Sequence, residues 1–138
     1  MALAIVVTLE RELPGASQAH AKAGSGRALA RESDRLDTAA RSRGVSPITS
    51  LLSENQEVLR AQMIAQGFDP SKMRLPPELW YSAADGLKTV RALAEHVTAN
   101  LNDFKQPNPI LRDLKACEAL LAAADAAGVK FHFTRTEL

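Results

Sequence analysis

Two short strand-like segments stand at opposite ends of this chain, and almost everything between them has helical periodicity. Ala2–Leu9 is a β-branched apolar run, and Val129–Arg135 alternates apolar and polar residues with period two. Two strands alone do not make a stable sheet in water, so they must meet and be covered. The pattern therefore predicts a helix-rich α+β fold. Its N- and C-terminal strands are adjacent in a small sheet covered by four or five helices. A length of 138 residues favours a single domain over 1–138, since a chain of this size buries about two-thirds of its unfolded surface.

Three helical stretches end the same way, in Gly followed by an apolar residue: Gly44–Val45, Gly67–Phe68 and Gly128–Val129. Glycine takes the left-handed conformation without a Cβ penalty, and the next residue can fold back on the last turn. These stops bound helices over Arg27–Arg43, Asn55–Gln66 and a last helix bearing Leu111, Leu114, Cys117, Leu121 and Ala124. Ser25 is a candidate N-cap for the first, and Asn108 with Pro109 for the last. Between them, Ser82–Asp85 resembles a capping box. It opens a helix in which Leu87, Val90, Leu93, Ala94, Val97 and Leu101 recur at threes and fours. This helix and the last one are joined by a short connection and should pack antiparallel. Pro47 starts a short helical face with Ile48, Leu51 and Leu52. Pro70, Pro76 and Pro77 make Phe68–Leu79 an irregular loop. Residues 10–26 hold no large apolar anchor after Pro14–Gly15 and are expected to form a mobile loop.

The charge balance, 17 basic against 16 acidic side chains, provides no global field to recruit nucleic acid or an anionic membrane. Gly26–Gly44 carries five arginines and three acids, a local excess of only +2. Arg27, Arg31 and Arg35 share a stripe, but Glu32, Asp34 and Asp37 interleave with them. This reads as a solvated, ion-paired face, and no nucleic-acid partner is expected. No apolar run reaches the roughly 18 residues of a membrane span, and the N-terminus lacks a basic leader region. Cys117, the single cysteine, excludes an intramolecular disulfide and fits a reducing cytoplasm as a buried helix residue.

Phosphate-binding loops, dinucleotide fingerprints, His-x-x-x-His pairs and nucleophile elbows are all missing. No cofactor or metal is expected. The candidate ligand- or partner-binding residues are Trp80, Tyr81, Asp85, His96 and His132. Trp80 and Tyr81 are the only Trp and Tyr, and they are adjacent after the proline-rich loop. Such amphipathic rings are enriched in binding hot spots. Asp85 is placed as a helix-start acid, favoured there by the helix dipole. His96 lies between Leu93 and Val97 at the edge of the core. His132 is flanked by Phe131 and Phe133 and must point away from them. That puts it on the open, solvated face of the sheet, where a surface groove would make it a titrating group. His20 falls in the expected mobile loop.

These features favour a small cytoplasmic binding or protein-interaction domain, of an inhibitory or immunity-like kind, with a protein partner or small ligand. An exposed sheet edge would also permit a homodimer. The alternative is a small enzyme whose site assembles around His132 and the Trp80/Tyr81 region, with His96 or Asp85 contributing.

Overall fold

A computed structural model describes residues 3–11, 26–54, 56–72 and 74–137. The chain runs β1 (Leu3–Leu9), α1 (Arg27–Arg31), α2 (Ser33–Ser42), α3 (Gln56–Ala65), α4 (Ala83–Ala99), α5 (Pro107–Ala127) and β2 (Phe131–Glu137). Short 3-10 turns at Ile48–Leu51, Pro70–Lys72 and Leu101–Asp103 join them. The two end strands pair antiparallel, with Thr8 opposite His132 and Val7 opposite Phe133. The helix-rich α+β architecture with adjacent terminal strands is thus the one the sequence pattern predicts.

One face of this two-stranded sheet is apolar. Ile5, Val7, Phe131 and Phe133 join a continuous core with Leu87, Val90 and Leu93 of α4 and Ile110, Leu114 and Leu121 of α5. Gly86 makes the closest approach possible: a Cβ there would collide with the Phe131 ring. The 6.5 Å spacing of the Tyr81 and Phe131 rings and the 5.2 Å edge-on contact of Phe131 with Phe133 complete this layer.

All three glycine stops form as expected. Gly44, Gly67 and Gly128 have positive φ. Val45 N–H donates to Ala40, Phe68 to Met63 and Val129 to Ala124 across the final turns. The last stop turns the chain from α5 into β2. Arg11 then donates to the Ala127 carbonyl at 2.9 Å, tying the end of that helix to the residues that follow β1.

Other boundaries differ from expectation. The helix expected over Arg27–Arg43 breaks at Glu32, where ψ reaches 27°. Of its three acids only Asp34 is exposed, and Arg35 pairs with Glu32 at 3.4 Å. Glu32 and Asp37 are buried, as is Asp113 of α5. Each accepts hydrogen bonds from a segment distant in sequence. Glu32 takes the backbone N–H of Lys105 and Gln106, Asp37 the amide and hydroxyl of Thr49, and Asp113 the Ala28 amide. A charged acceptor makes such bonds worth about 1.5–3 kcal/mol each. The expectation failed because periodicity reports which residues share a stripe, not which backbone ends lie opposite it. At the start of the last helix, Gln106 is the cap and Pro107 the first residue, in place of Asn108 and Pro109. Ser82 does occupy the cap of α4, but its side chain makes no capping bond. Leu101 leaves the helical face for a 3-10 turn and is exposed.

Ser25, His20 and all of the connection expected over 10–26 except Glu10, Arg11 and Gly26 lie outside the described residues. Gly26 presses its backbone onto that of Ile5, which donates its N–H to the Gly26 carbonyl at 3.0 Å.

Candidate functional site

β2 meets two further pieces of chain along its outer edge. Leu52 bridges Phe133 in parallel sense and Tyr81 bridges Phe131 in antiparallel sense. Ser53 N–H donates to the Phe133 carbonyl at 3.0 Å, and Tyr81 exchanges two bonds with Phe131 at 2.7 and 2.9 Å. Everything from residue 54 to residue 80 is therefore an excursion that leaves the strand at Phe133 and returns at Phe131. None of its described residues is buried. It contains the whole of α3, in which Leu59 and Met63 are half-buried. Val58 and Ile64 are exposed, Ile64 at 63%, as are Phe68 at 54% and Leu79 at 50%.

The excursion is fastened to the core by a few polar contacts. Leu79 N–H donates to Ser53 Oγ at 2.7 Å, while the bond from Gln56 to the Pro76 carbonyl holds the excursion to itself. The main fastening is Glu78, whose carboxylate lies 2.8 Å from His132 Nε2. Trp80 stacks obliquely on the same imidazole, with ring centroids 4.6 Å apart.

His132 points away from Phe131 and Phe133, as the alternation required, but it is not solvated. It is 1% exposed. The Trp80 ring and Glu78 cover the face that was expected to be open. Two threonines of the same face extend the contact. Thr134 Oγ1 lies 3.2 Å from His132 Nδ1, and Thr8 Oγ1 lies 2.6 Å from Thr134 Oγ1. The Phe133 carbonyl is also 3.1 Å from Nδ1. With the carboxylate taking Nε2–H, Nδ1 thus meets both a hydroxyl that can donate and a carbonyl that can accept.

Of the residues singled out from sequence, Trp80 and His132 come into contact, and Tyr81 sits next to them but turns its ring towards Phe131 on the core side. Asp85 is an exposed acid in the first turn of α4. His96 is elsewhere: Arg43 Nε donates to its Nδ1 at 3.3 Å, and its ring meets Phe104 edge-on. It borders a shallow groove of about 470 Å³ with Asp34, Arg35 and Asp103. Glu78, Thr8 and Thr134 were not singled out. Thr134 was legible, because strand alternation places it on the His132 face. Thr8 needed the register of the strand pair. Nothing local in the sequence marks Glu78.

Three open grooves lie around α3. One of about 680 Å³ is bounded by Leu3, Val58, Gln62, Gln66, Thr134 and Arg135. A second, about 380 Å³, runs between Leu59 and the Pro76–Pro77 segment, with Leu79 on its wall. A third, about 460 Å³, is polar and reaches Glu78. Among the described residues, no group of three His, Cys, Asp or Glu side chains is placed to hold a metal ion, and no helix is long and apolar enough to cross a membrane. Burial, reinforced by the charge of Asp113, pushes the Cys117 thiol up to about 12, which removes its nucleophilic form at neutral pH. The chain matches no protein-family model, no curated protein and no solved structure.

Proposed function

We propose that this protein is a small interaction domain that presents residues 54–80 as a contact arm to a protein partner. The observation that supports this reading is the absence of any buried side chain along α3, together with the exposure of Val58, Ile64, Phe68 and Leu79 on the same excursion. A ten-residue helix is marginal in water unless an apolar face is packed. This one leaves Val58 and Ile64 exposed and Leu59 and Met63 only half-buried. Four of the six large apolar side chains exposed among the described residues lie on this one excursion, and concentrated apolar exposure is characteristic of interaction surfaces. Both roots of the arm are fixed to β2, so the arm is presented from a rigid base.

Trp80 stands at the returning root and joins the arm to the sheet. In this reading it positions the arm and supplies an aromatic rim to the contact surface. The partner is a protein offering an apolar groove or helix face, and a second copy of the chain is one such surface.

A photo-crosslinking amino acid placed at Ile64, with a control at Lys115 on α5, tests the proposal in the native cell. A discrete protein adduct at Ile64 that is missing at Lys115 and lost on Phe68→Glu is the expected result. Equal labelling at the two sites, or none at Ile64, refutes the arm as a contact surface. Sedimentation velocity of the purified protein separates self-association from a different partner.

A further inference from the structure

The outer face of the sheet carries a chain of hydrogen-bond contacts, Glu78–His132–Thr134–Thr8, that partner binding through the arm does not use. With Glu78 accepting from Nε2–H, the His132 Nδ1 lone pair faces Thr134 Oγ1 at 3.2 Å. Thr8 Oγ1 supports that hydroxyl from the other side at 2.6 Å. His132 is buried beneath Trp80 and cannot meet a solute itself. Thr134 can: it is only half-buried and opens onto the 680 Å³ groove between the sheet and α3. A hydroxyl, a base within hydrogen-bond reach and a group orienting that base form the general arrangement of an activated nucleophile. We propose that Thr134, His132 and Glu78 form an acyl-transfer site that hydrolyses esters of small apolar acids, with Thr134 Oγ1 as the nucleophile.

The groove suits that substrate class. Its volume falls within the roughly 300–1,000 Å³ of small-molecule sites. Leu3 and Val58 provide an apolar wall for an acyl chain, and the polar lining holds the Glu54 carboxylate beside the Gln62 and Gln66 amides and the Arg135 guanidinium, the last three being donors to a carbonyl oxygen. In the first half-reaction Thr134 Oγ1 bonds to the ester carbonyl carbon as its proton passes to Nδ1. The tetrahedral intermediate then expels the alcohol, which takes that proton. Water repeats the sequence on the acyl-threonine, passing one proton to Nδ1 and releasing the acid as the proton returns to Thr134. The sum is ester plus water giving acid plus alcohol, with no change of oxidation state. The Phe133 carbonyl holds the Nδ1–H that forms transiently, and the Glu78 carboxylate faces the imidazolium. Glu78 is a positioning residue, because it acts through His132.

The test is hydrolysis of p-nitrophenyl butyrate by the full chain, with mass spectrometry of protein treated with an alkyl fluorophosphonate. The expected results are turnover above buffer, a phosphonyl adduct on Thr134, and loss of both in Thr134→Val, which preserves side-chain shape and leaves the circular dichroism unchanged. His132→Gln should reduce the rate by about 10²–10⁴-fold, as for removal of a general base. Lys72→Ala should leave it unaltered. Glu78→Gln keeps an acceptor for Nε2–H and removes the charge. It should lower kcat with KM unchanged, a split that a purely structural role for Glu78 does not produce. Wild-type turnover equal to buffer, or a Thr134→Val variant as active as wild type, overturns the proposal. Neither result bears on crosslinking at Ile64, so the two readings fail separately.

Discussion

A single 2.8 Å bond from His132 Nε2 to the Glu78 carboxylate joins a buried ring on the outer face of the sheet to an arm none of whose described residues is buried. It lies between the two roots of that arm, at Ser53 and Tyr81, and the ring it holds is roofed by Trp80. The arm is thus attached by side-chain chemistry and not by a packed interface.

Removing that bond should loosen the arm while sparing the core. Glu78→Ala leaves a buried imidazole without its carboxylate, at a cost of about 1–3 kcal/mol. Hydrogen exchange in residues 74–80 should accelerate, with α4 and α5 unaffected. Equal acceleration across α4 and α5 would show that the arm is part of the core after all.

Excising the arm is the stronger version. Replacing residues 54–80 with a four-residue Gly/Ser linker removes no buried side chain among the described residues. The shortened chain should still unfold in one cooperative transition, with a lower midpoint because Trp80 and Glu78 no longer cover His132. Differential scanning calorimetry checks this, and a non-cooperative melt is the contrary outcome.

Gly86→Ala presents two opposed effects. Helix propensity favours Ala by about 1 kcal/mol. The new methyl must enter space held by the Phe131 ring, and overpacking a closed core costs about 1–3 kcal/mol. The steric term should win, giving a net loss in urea denaturation. Pairing it with Phe131→Leu should recover part of the loss.

Glu32→Gln tests the buried acids. The carboxylate accepts from two backbone amides that open α5 and is 4% exposed. The neutral amide weakens both bonds and brings an unmatched donor. A loss of about 1–3 kcal/mol is expected, against about 0.5 kcal/mol or less for the exposed Asp34→Asn. Equal effects would mean that the Glu32 contacts contribute nothing.

Cys117 links stability to alkaline pH. Its folded-state value is raised, from an ordinary 9.0 to about 12, so the native state holds the proton more tightly than the unfolded chain. The associated stability is complete below about 9.0 and is lost as pH rises through about 12. Cys117→Ala should flatten the decline in melting temperature over that window. Native protein should resist iodoacetamide at pH 8 and react fully in denaturant.

The parts of the fold that were legible are those governed by neighbours in sequence. Positive φ at Gly44, Gly67 and Gly128 follows from the glycine and the apolar residue after it. The opposite orientation of His132 from its flanking phenylalanines follows from strand geometry alone. Periodicity identified the apolar face of α4, and α4 buries it. In α3 the helical spacing of Val58, Leu59, Met63 and Ile64 gave the helix but not its burial: Leu59 and Met63 are half-buried and Val58 and Ile64 exposed, because nothing in that spacing says whether another element arrives to cover them.

By itself, then, the sequence determined where helices stop, which strand residues share a face, and that the two ends must meet, because each is set by backbone sterics or by the failure of a lone strand to survive in water. Tertiary structure alone decided that His132 is roofed rather than solvated, that Glu32 and Asp37 cap distant backbone instead of facing solvent, and that Glu78 and Thr134 meet one ring while Thr8 meets Thr134. These depend on contacts between residues as far apart as Thr8 and Thr134, and such contacts are fixed by strand register and by the path of the arm, which no local pattern encodes.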